Sequence, residues 1–291
     1  MIHRSAGTVA RLAARLDTLA AAALLLGGAS SFEALFAPKA ELWPRWTVHD
    51  AAAAAAIDHS AWDRLLAAHV RPGADGINRV DYRALARGPD KVALDGYVAA
   101  LAATPIDRYG RDEQRAFWIN LYNALTVQLV AARFPVASIR DIDISPGLFA
   151  RGPWDKELVT VEGEALSLND IEHRILRPIW RDARVHYAVN CASLGCPNLE
   201  MRAFTGANTE TLLDAAARAY VDSPRGVRFD GGRLIVSSLY VWYAEDFGGS
   251  DAAILAHLRR YAAPALAARL AGATAIDGNG YDWALNGFDA R

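Results

Sequence analysis

Thiol, imidazole and amide side chains gather in one short stretch, Val185 to Leu199, which reads V-H-Y-A-V-N-C-A-S-L-G-C-P-N-L. It holds both cysteines of the 291-residue chain, one of its seven histidines, and an Asn directly before the first Cys. The thiolate is the nucleophilic form of cysteine, and Cys191 is the residue from which covalent chemistry would start. Such a site needs a base within hydrogen-bond reach and a third group that orients the base. His173, next to Glu172, is the favoured base, and His186 is the other candidate. Asn123 or Asn190 would supply the orienting amide. Backbone N–H groups of Ala192 and Ser193, just after the nucleophile, would receive the oxyanion of an acyl-transfer reaction. On this reading the chain is a cysteine-dependent hydrolase or acyl transferase.

The same two cysteines support a competing expectation. In an oxidising compartment Cys191 and Cys196 are the only intramolecular pair the chain can form, and Gly195 between them makes closure feasible. A disulfide over so short a loop contributes roughly 2 kcal/mol and would leave no nucleophile. The chain would then be a binding or scaffolding module for an envelope protein or a peptide-like partner; the Trp and Tyr residues near its C-terminus would suit such a surface, although core is the first reading of them. The sequence favours this second expectation. A zinc site is a weaker reading, because the Cys and His spacings match neither C-x2-C nor H-x3-H, so no metal and no cofactor is expected. Ala192-Ser193-Leu194-Gly195 lacks the Gly-x-Ser-x-Gly elbow of serine hydrolases.

The elements that must position these residues are mostly helical. Asp112 to Phe134 is the longest periodic segment, and 116–127 is apolar almost all round, which predicts a central helix buried on most faces. Asn120 and Asn123 lie within it. A buried amide without partners costs roughly 1–3 kcal/mol, so both must be hydrogen-bonded. Ser167 to Asp170 has capping-box spacing and opens a helix bearing Glu172 and His173. Val185, Tyr187 and Val189 alternate with His186, Ala188 and Asn190, which reads as a short strand. In a strand His186 and Cys191 point to opposite faces, so they meet only if the chain bends between them. Hairpins are expected over 158–166 and over 226–236, the second across Asp230-Gly231-Gly232. The class is α+β: a helix-rich single domain, 59–286, around the buried helix 112–134, with short β-hairpins.

With 31 Lys plus Arg against 33 Asp plus Glu, no global field draws the chain to nucleic acid. Arg4, Arg11 and Arg15 precede a short apolar run, 19–28, and then the small residues Ala29-Ser30-Ser31. That is the pattern of a secretory signal peptide over 1–31, followed by a lead-in linker or helix over 32–58. A span needs about 20 apolar residues, and Asp17 and Glu33 bracket this run more tightly. Export to the periplasm is the expectation, with an uncleaved N-terminal anchor as the alternative.

Four motifs in order carry a resemblance: 116–125 (A-F-W-I-N-L-Y-N-A-L), Ile171-Glu172-His173 with Ile175-Leu176-Arg177, 185–193 with Cys196-Pro197, and Trp242-Tyr243 with Asp246-Phe247. With the closing Tyr281 to Asn286, they resemble the uncharacterised family catalogued as domain of unknown function 547, across roughly 59–286. That resemblance implies no particular chemistry, because the family has no assigned function. It implies that bacterial members are often exported.

Overall fold

The structure, a computed structural model, describes residues 37–146 and 152–288. The segment read as a signal peptide, 1–31, lies outside the described residues. The chain divides into two compact units, Met1–Ala37 and Pro38–Arg291, and every helix and strand among the described residues belongs to the second. From Pro38 onward, the stretch read as a lead-in belongs to this unit. Glu41 N donates to His173 O and Trp43 N to Arg174 O, each at 3.0 Å, and Trp46 is buried against Trp118.

α1 (Ser60–His69) leads into β1 (Val70–Pro72), which pairs antiparallel with β2 (Asn78–Val80). The short turn α2 (Tyr82–Leu85), α3 (Gly88–Ala102) and α4 (Arg111–Arg133) follow. A hairpin of β3 (Val159–Val161) and β4 (Glu164–Leu166) precedes a π-helix over Asp170–Leu176, which runs directly into α5 (Arg177–Trp180). Beyond the cysteine loop lie α6 (Thr209–Val221), the hairpin of β5 (Val227–Asp230) and β6 (Arg233–Ser237), α7 (Leu239–Trp242), α8 (Asp251–Tyr261), α9 (Pro264–Leu270) and β7 (Gly278–Gly280). β7 joins β6 in parallel, a pairing the hairpin pattern did not announce. Helices dominate and the strands sit in small separate sheets, so the fold is α+β. Among the described residues no helix is long and apolar enough to cross a membrane.

α4 is the axis. Asp112 and Glu113 in its first turn and Arg133 in its last complement the helix dipole, and Phe134-Pro135 stops it. Its residues from Gln114 to Val127 are all buried, so side chains on every face pack against other elements. Both amides are engaged as burial requires. Asn120 Nδ2 donates to Phe204 O at 2.7 Å while its Oδ1 accepts from Phe204 N at 3.0 Å. Asn123 Nδ2 donates to Ala188 O at 2.9 Å while its Oδ1 accepts from Asn190 N at 2.8 Å.

One element departs from its pattern. The expected strand at 185–189 is a 3-10 helix, Ala183–Tyr187, whose first turn is capped by Asp182 accepting from Arg184 N. Alternation signals a strand when one face meets solvent. Here Val185 through Asn190 are all buried, and the segment divides its apolar side chains between two cores. Val185, Ala188 and Val189 pack with the α4 core, and Tyr187 packs with a second core built on α6, β6 and α8.

Candidate active site

Beyond the 3-10 turn the chain is held by amides, not by a sheet ladder. Asn190 Nδ2 donates to Pro197 O at 2.6 Å, and its Oδ1 accepts from Ala192 N at 2.9 Å. That second bond fixes Ala192 in a left-handed conformation, φ +61°, which costs a non-glycine residue free energy and reverses the chain immediately after Cys191. The C-terminal segment lies alongside. Leu194 N donates to Ala284 O, Gly195 N to Asp282 O and Asn286 N to Ala192 O, at 2.8, 2.8 and 3.0 Å. A Cβ at Gly195 would meet Asp282 N at 2.7 Å, so only glycine permits this approach.

This frame sets both cysteines side by side as free thiols, their Sγ atoms 3.0 Å apart. A disulfide requires about 2.05 Å, so the expected staple between Cys191 and Cys196 is absent and that expectation is corrected. Cys196 is buried, whereas Cys191 is half-buried. Cys191 Sγ lies 3.2 Å from Ser193 Oγ and 3.0 Å from Tyr281 Oη, and those two oxygens are 3.0 Å apart. Each hydroxyl has one hydrogen. When Cys191 ionises, both can turn to the sulfur, and the Cys196 S–H can do the same. Hydrogen bonding with Cys196, joined by Ser193 and Tyr281, outweighs burial and the nearby Glu172 charge and holds the Cys191 thiol below its ordinary value. Burial, then the bond to Cys191 and its charge, pushes the Cys196 thiol well up. Burial and the two thiols likewise push Tyr281 well up, so it stays a donor.

The histidines form a separate knot. His173 and Glu172 project from the π-helix, His186 from the 3-10 turn, and Arg177 from α5. Arg177 donates through Nε to Asp246 Oδ2 at 2.6 Å and through Nη1 to His173 Nδ1 at 3.0 Å. A guanidinium only donates, so Nδ1 of His173 is the accepting nitrogen and its proton sits on Nε2, which is 3.9 Å from Glu172 Oε2. His186 has Asp246 Oδ2 at 2.6 Å from Nε2 and Glu172 Oε1 at 3.5 Å from Nδ1. Tyr243 stacks on His186 with ring centroids 4.4 Å apart. Burial works to raise Glu172, but His173, His186 and Arg177 outweigh it and hold its carboxyl at about 2. Burial, reinforced by the Arg177 charge, lowers His173 to about 4. Among the described residues no histidine hydrogen-bonds Cys191, and the Asn123 amide engages the loop backbone instead of an imidazole.

The two groups are nonetheless neighbours. Burial first, then Glu172, Cys191 and Cys196 together, raise the Tyr122 and Tyr243 phenols well above their ordinary values, so both clusters lie within electrostatic reach of the same two rings. A wall of half-buried rings flanks the thiol. Tyr281 has Trp242 at 4.8 Å and Trp283 at 4.7 Å between centroids, and Trp154 packs on Trp283 at 5.7 Å. Of the two backbone donors expected for an oxyanion, Ala192 N–H is taken by Asn190; Ser193 N–H makes no hydrogen bond among the described residues. No group of three or more His, Cys, Asp or Glu among the described residues is placed to hold a metal ion.

Helix α4, the π-helix and the cysteine loop fall within one segment that matches a family model. The family model described as "Protein of unknown function, DUF547" matches residues 106–221, which contain Asn120, Asn123, Glu172, His173, His186, Cys191 and Cys196. The resemblance carried by these motifs therefore stands over 106–221. No curated protein and no solved structure matches the chain. Tyr243, Asp246 and Tyr281 lie beyond the matched segment, and reasoning about nucleophile and base did not select them. Their signal was present in the sequence as the aromatic and acidic residues of 240–247 and 281–286. What it lacked was any indication that distant aromatic residues return to the thiol.

Proposed function

We propose that the domain is a thiol-dependent hydrolase or acyl transferase with Cys191 as its nucleophile. The observation that carries this is the Cys191 thiol: free, on a half-buried residue, and facing two hydroxyls that can donate to its ionised form. In the reaction the thiolate attacks an acyl carbonyl, a C–S bond forms, and the negative charge moves to the carbonyl oxygen, for which the Ser193 N–H, unbonded among the described residues, is the backbone donor. Collapse breaks the bond from the carbonyl carbon to the leaving group, which takes up the proton that Cys191 released to solvent on ionising, and leaves a thioester. Water or a second nucleophile then releases the acyl group. His173, with its lone pair held by Arg177, supports the electrostatics of the site from within its knot. The ring wall of Trp242, Tyr281 and Trp283 suits an apolar or flat part of the acyl substrate. The basic, apolar and small-residue order of the N-terminus supports a periplasmic setting for this activity.

The test is a chromogenic p-nitrophenyl ester followed by intact-mass and peptide analysis. The expected result is an acyl adduct on Cys191 with a burst of nitrophenol, both lost in Cys191→Ser. An adduct that persists in that variant, or none at Cys191 in the native chain, removes the reading.

A further inference from the structure

Nothing in acyl transfer requires a second thiol, yet Cys196 Sγ stands 3.0 Å from Cys191 Sγ, nearer than the van der Waals separation of two sulfurs would place them without a hydrogen bond. Three features set the pair apart from two cysteines that merely pack. The first is asymmetry: Cys191 is a half-buried residue and Cys196 a buried one, which suits Cys191 to the attacking role. The second is that hydrogen bonds orient Cys196. Its sulfur accepts from Cys191 N at 2.9 Å and faces Val189 O at 3.7 Å, so it is held over the Cys191 backbone. The third is the loop between them, short and turned back by the left-handed Ala192, which leaves the two sulfurs about an ångström from the bond length of about 2.05 Å.

The geometry points to Cys191 and Cys196 acting as a dithiol–disulfide couple that reduces hydroperoxides, with Cys191 as the attacking and Cys196 as the resolving sulfur. It rests on the same Cys191 nucleophile as the acyl-transfer reading but adds a second reaction. In the first step the Cys191 thiolate attacks one oxygen of hydrogen peroxide. An S–O bond forms, the O–O bond breaks, and the departing hydroxide leaves as water on taking a proton. Cys191 is oxidised by two electrons to the sulfenic acid as the peroxide is reduced. In the second step the Cys196 sulfur attacks Cys191 Sγ. The S–S bond forms, the S–O bond breaks, and hydroxide leaves with the Cys196 proton as a second water. The sum is two thiols and one peroxide giving one disulfide and two waters. A small dithiol such as dithiothreitol returns the pair to the reduced state by exchange. The buried position of Cys196 keeps its own sulfur from direct attack, so oxidation begins at Cys191.

The experiment uses the full chain, reduced and then freed of reductant. Hydrogen peroxide is added in equimolar amount, remaining thiols are blocked with N-ethylmaleimide, and the products are read by intact mass and peptide mapping. The expected result is a fall from two free thiols to none, a Cys191–Cys196 crosslink, and full recovery with dithiothreitol. Cys196→Ser, checked for an unchanged melting temperature, is expected to stop at a dimedone-reactive sulfenic acid on Cys191. Native protein that keeps both thiols, or that passes to sulfinic acid without a crosslink, overturns the inference. Should Cys196→Ser fail to fold, the native-chain result decides alone. Failure here with intact acylation of Cys191 leaves the acyl-transfer reading standing, and a crosslink without acylation does the reverse.

Discussion

At the residue scale the sulfur of Cys191 is governed by its two hydroxyl neighbours more than by any imidazole. Tyr281 Oη lies 3.0 Å from the sulfur and can donate to the thiolate, because burial keeps the phenol protonated. Tyr281→Phe removes one hydrogen bond to a charged acceptor, worth about 1.5 kcal/mol, and should move the Cys191 titration upward by about one pH unit. The pH profile of iodoacetamide alkylation measures this directly. Ser193→Ala, which removes the hydroxyl 3.2 Å from the sulfur, should move it in the same direction. A profile unchanged in both variants would mean that the hydroxyls do not hold the thiolate.

At the scale of elements, α4 serves two loops through two amides one turn apart, and only one of those loops carries the cysteines. Asn120→Ala and Asn123→Ala each leave buried backbone groups of the partner loop without a bond and should each cost about 2 kcal/mol or more in urea unfolding. They should differ in chemistry. Asn123→Ala frees the backbone at Ala188 and Asn190 and should shift the Cys191 alkylation profile, whereas Asn120→Ala, tied to Phe204, should leave it in place. Equal profiles in the two variants would contradict the assignment of Asn123 to the site. The histidine knot, which joins the π-helix to Asp246, sets its own pH range. Glu172 and Asp246 are held at about 2, below the ordinary carboxylate values near 4, so their contribution is present above pH 4 and is lost as pH falls toward 2.

At the scale of the whole molecule, burial of histidine extends that acid sensitivity upward. Burial is the foremost cause that lowers His59, His173 and His257 to about 4, against an ordinary value near 6.5. The unfolded chain therefore takes up protons on these residues first, and stability should fall as pH drops from 6.5 to 4. Urea midpoints measured across that interval check the slope; a flat line would show that these histidines titrate alike in both states. The C-terminal segment gives a second global prediction. Gly195→Ala places a methyl against Asp282 backbone, overpacking worth about 1–3 kcal/mol, and should both lower the melting temperature and raise the Cys191 titration by displacing Tyr281.

The sequence by itself determined the helices with long periodic patterns, above all α4, and the two hairpins, because apolar periodicity and turn residues mark them in the local sequence. It also determined that Asn120 and Asn123 must be bonded, since burial without partners is too costly. It marked Cys191, Cys196, His173, His186 and Glu172 as one neighbourhood through motifs shared with a family. Tertiary structure alone decided the rest. The 185–189 segment gave up its strand pattern because two cores compete for its side chains, a matter of burial on both faces that alternation cannot encode. The histidines were drawn into a knot with Arg177 and Asp246, since buried charges are costly unless paired, and that left Cys191 to Ser193 and Tyr281. Only the folded chain brings residue 281 beside residue 191, and so only the fold could assign the thiol its partners.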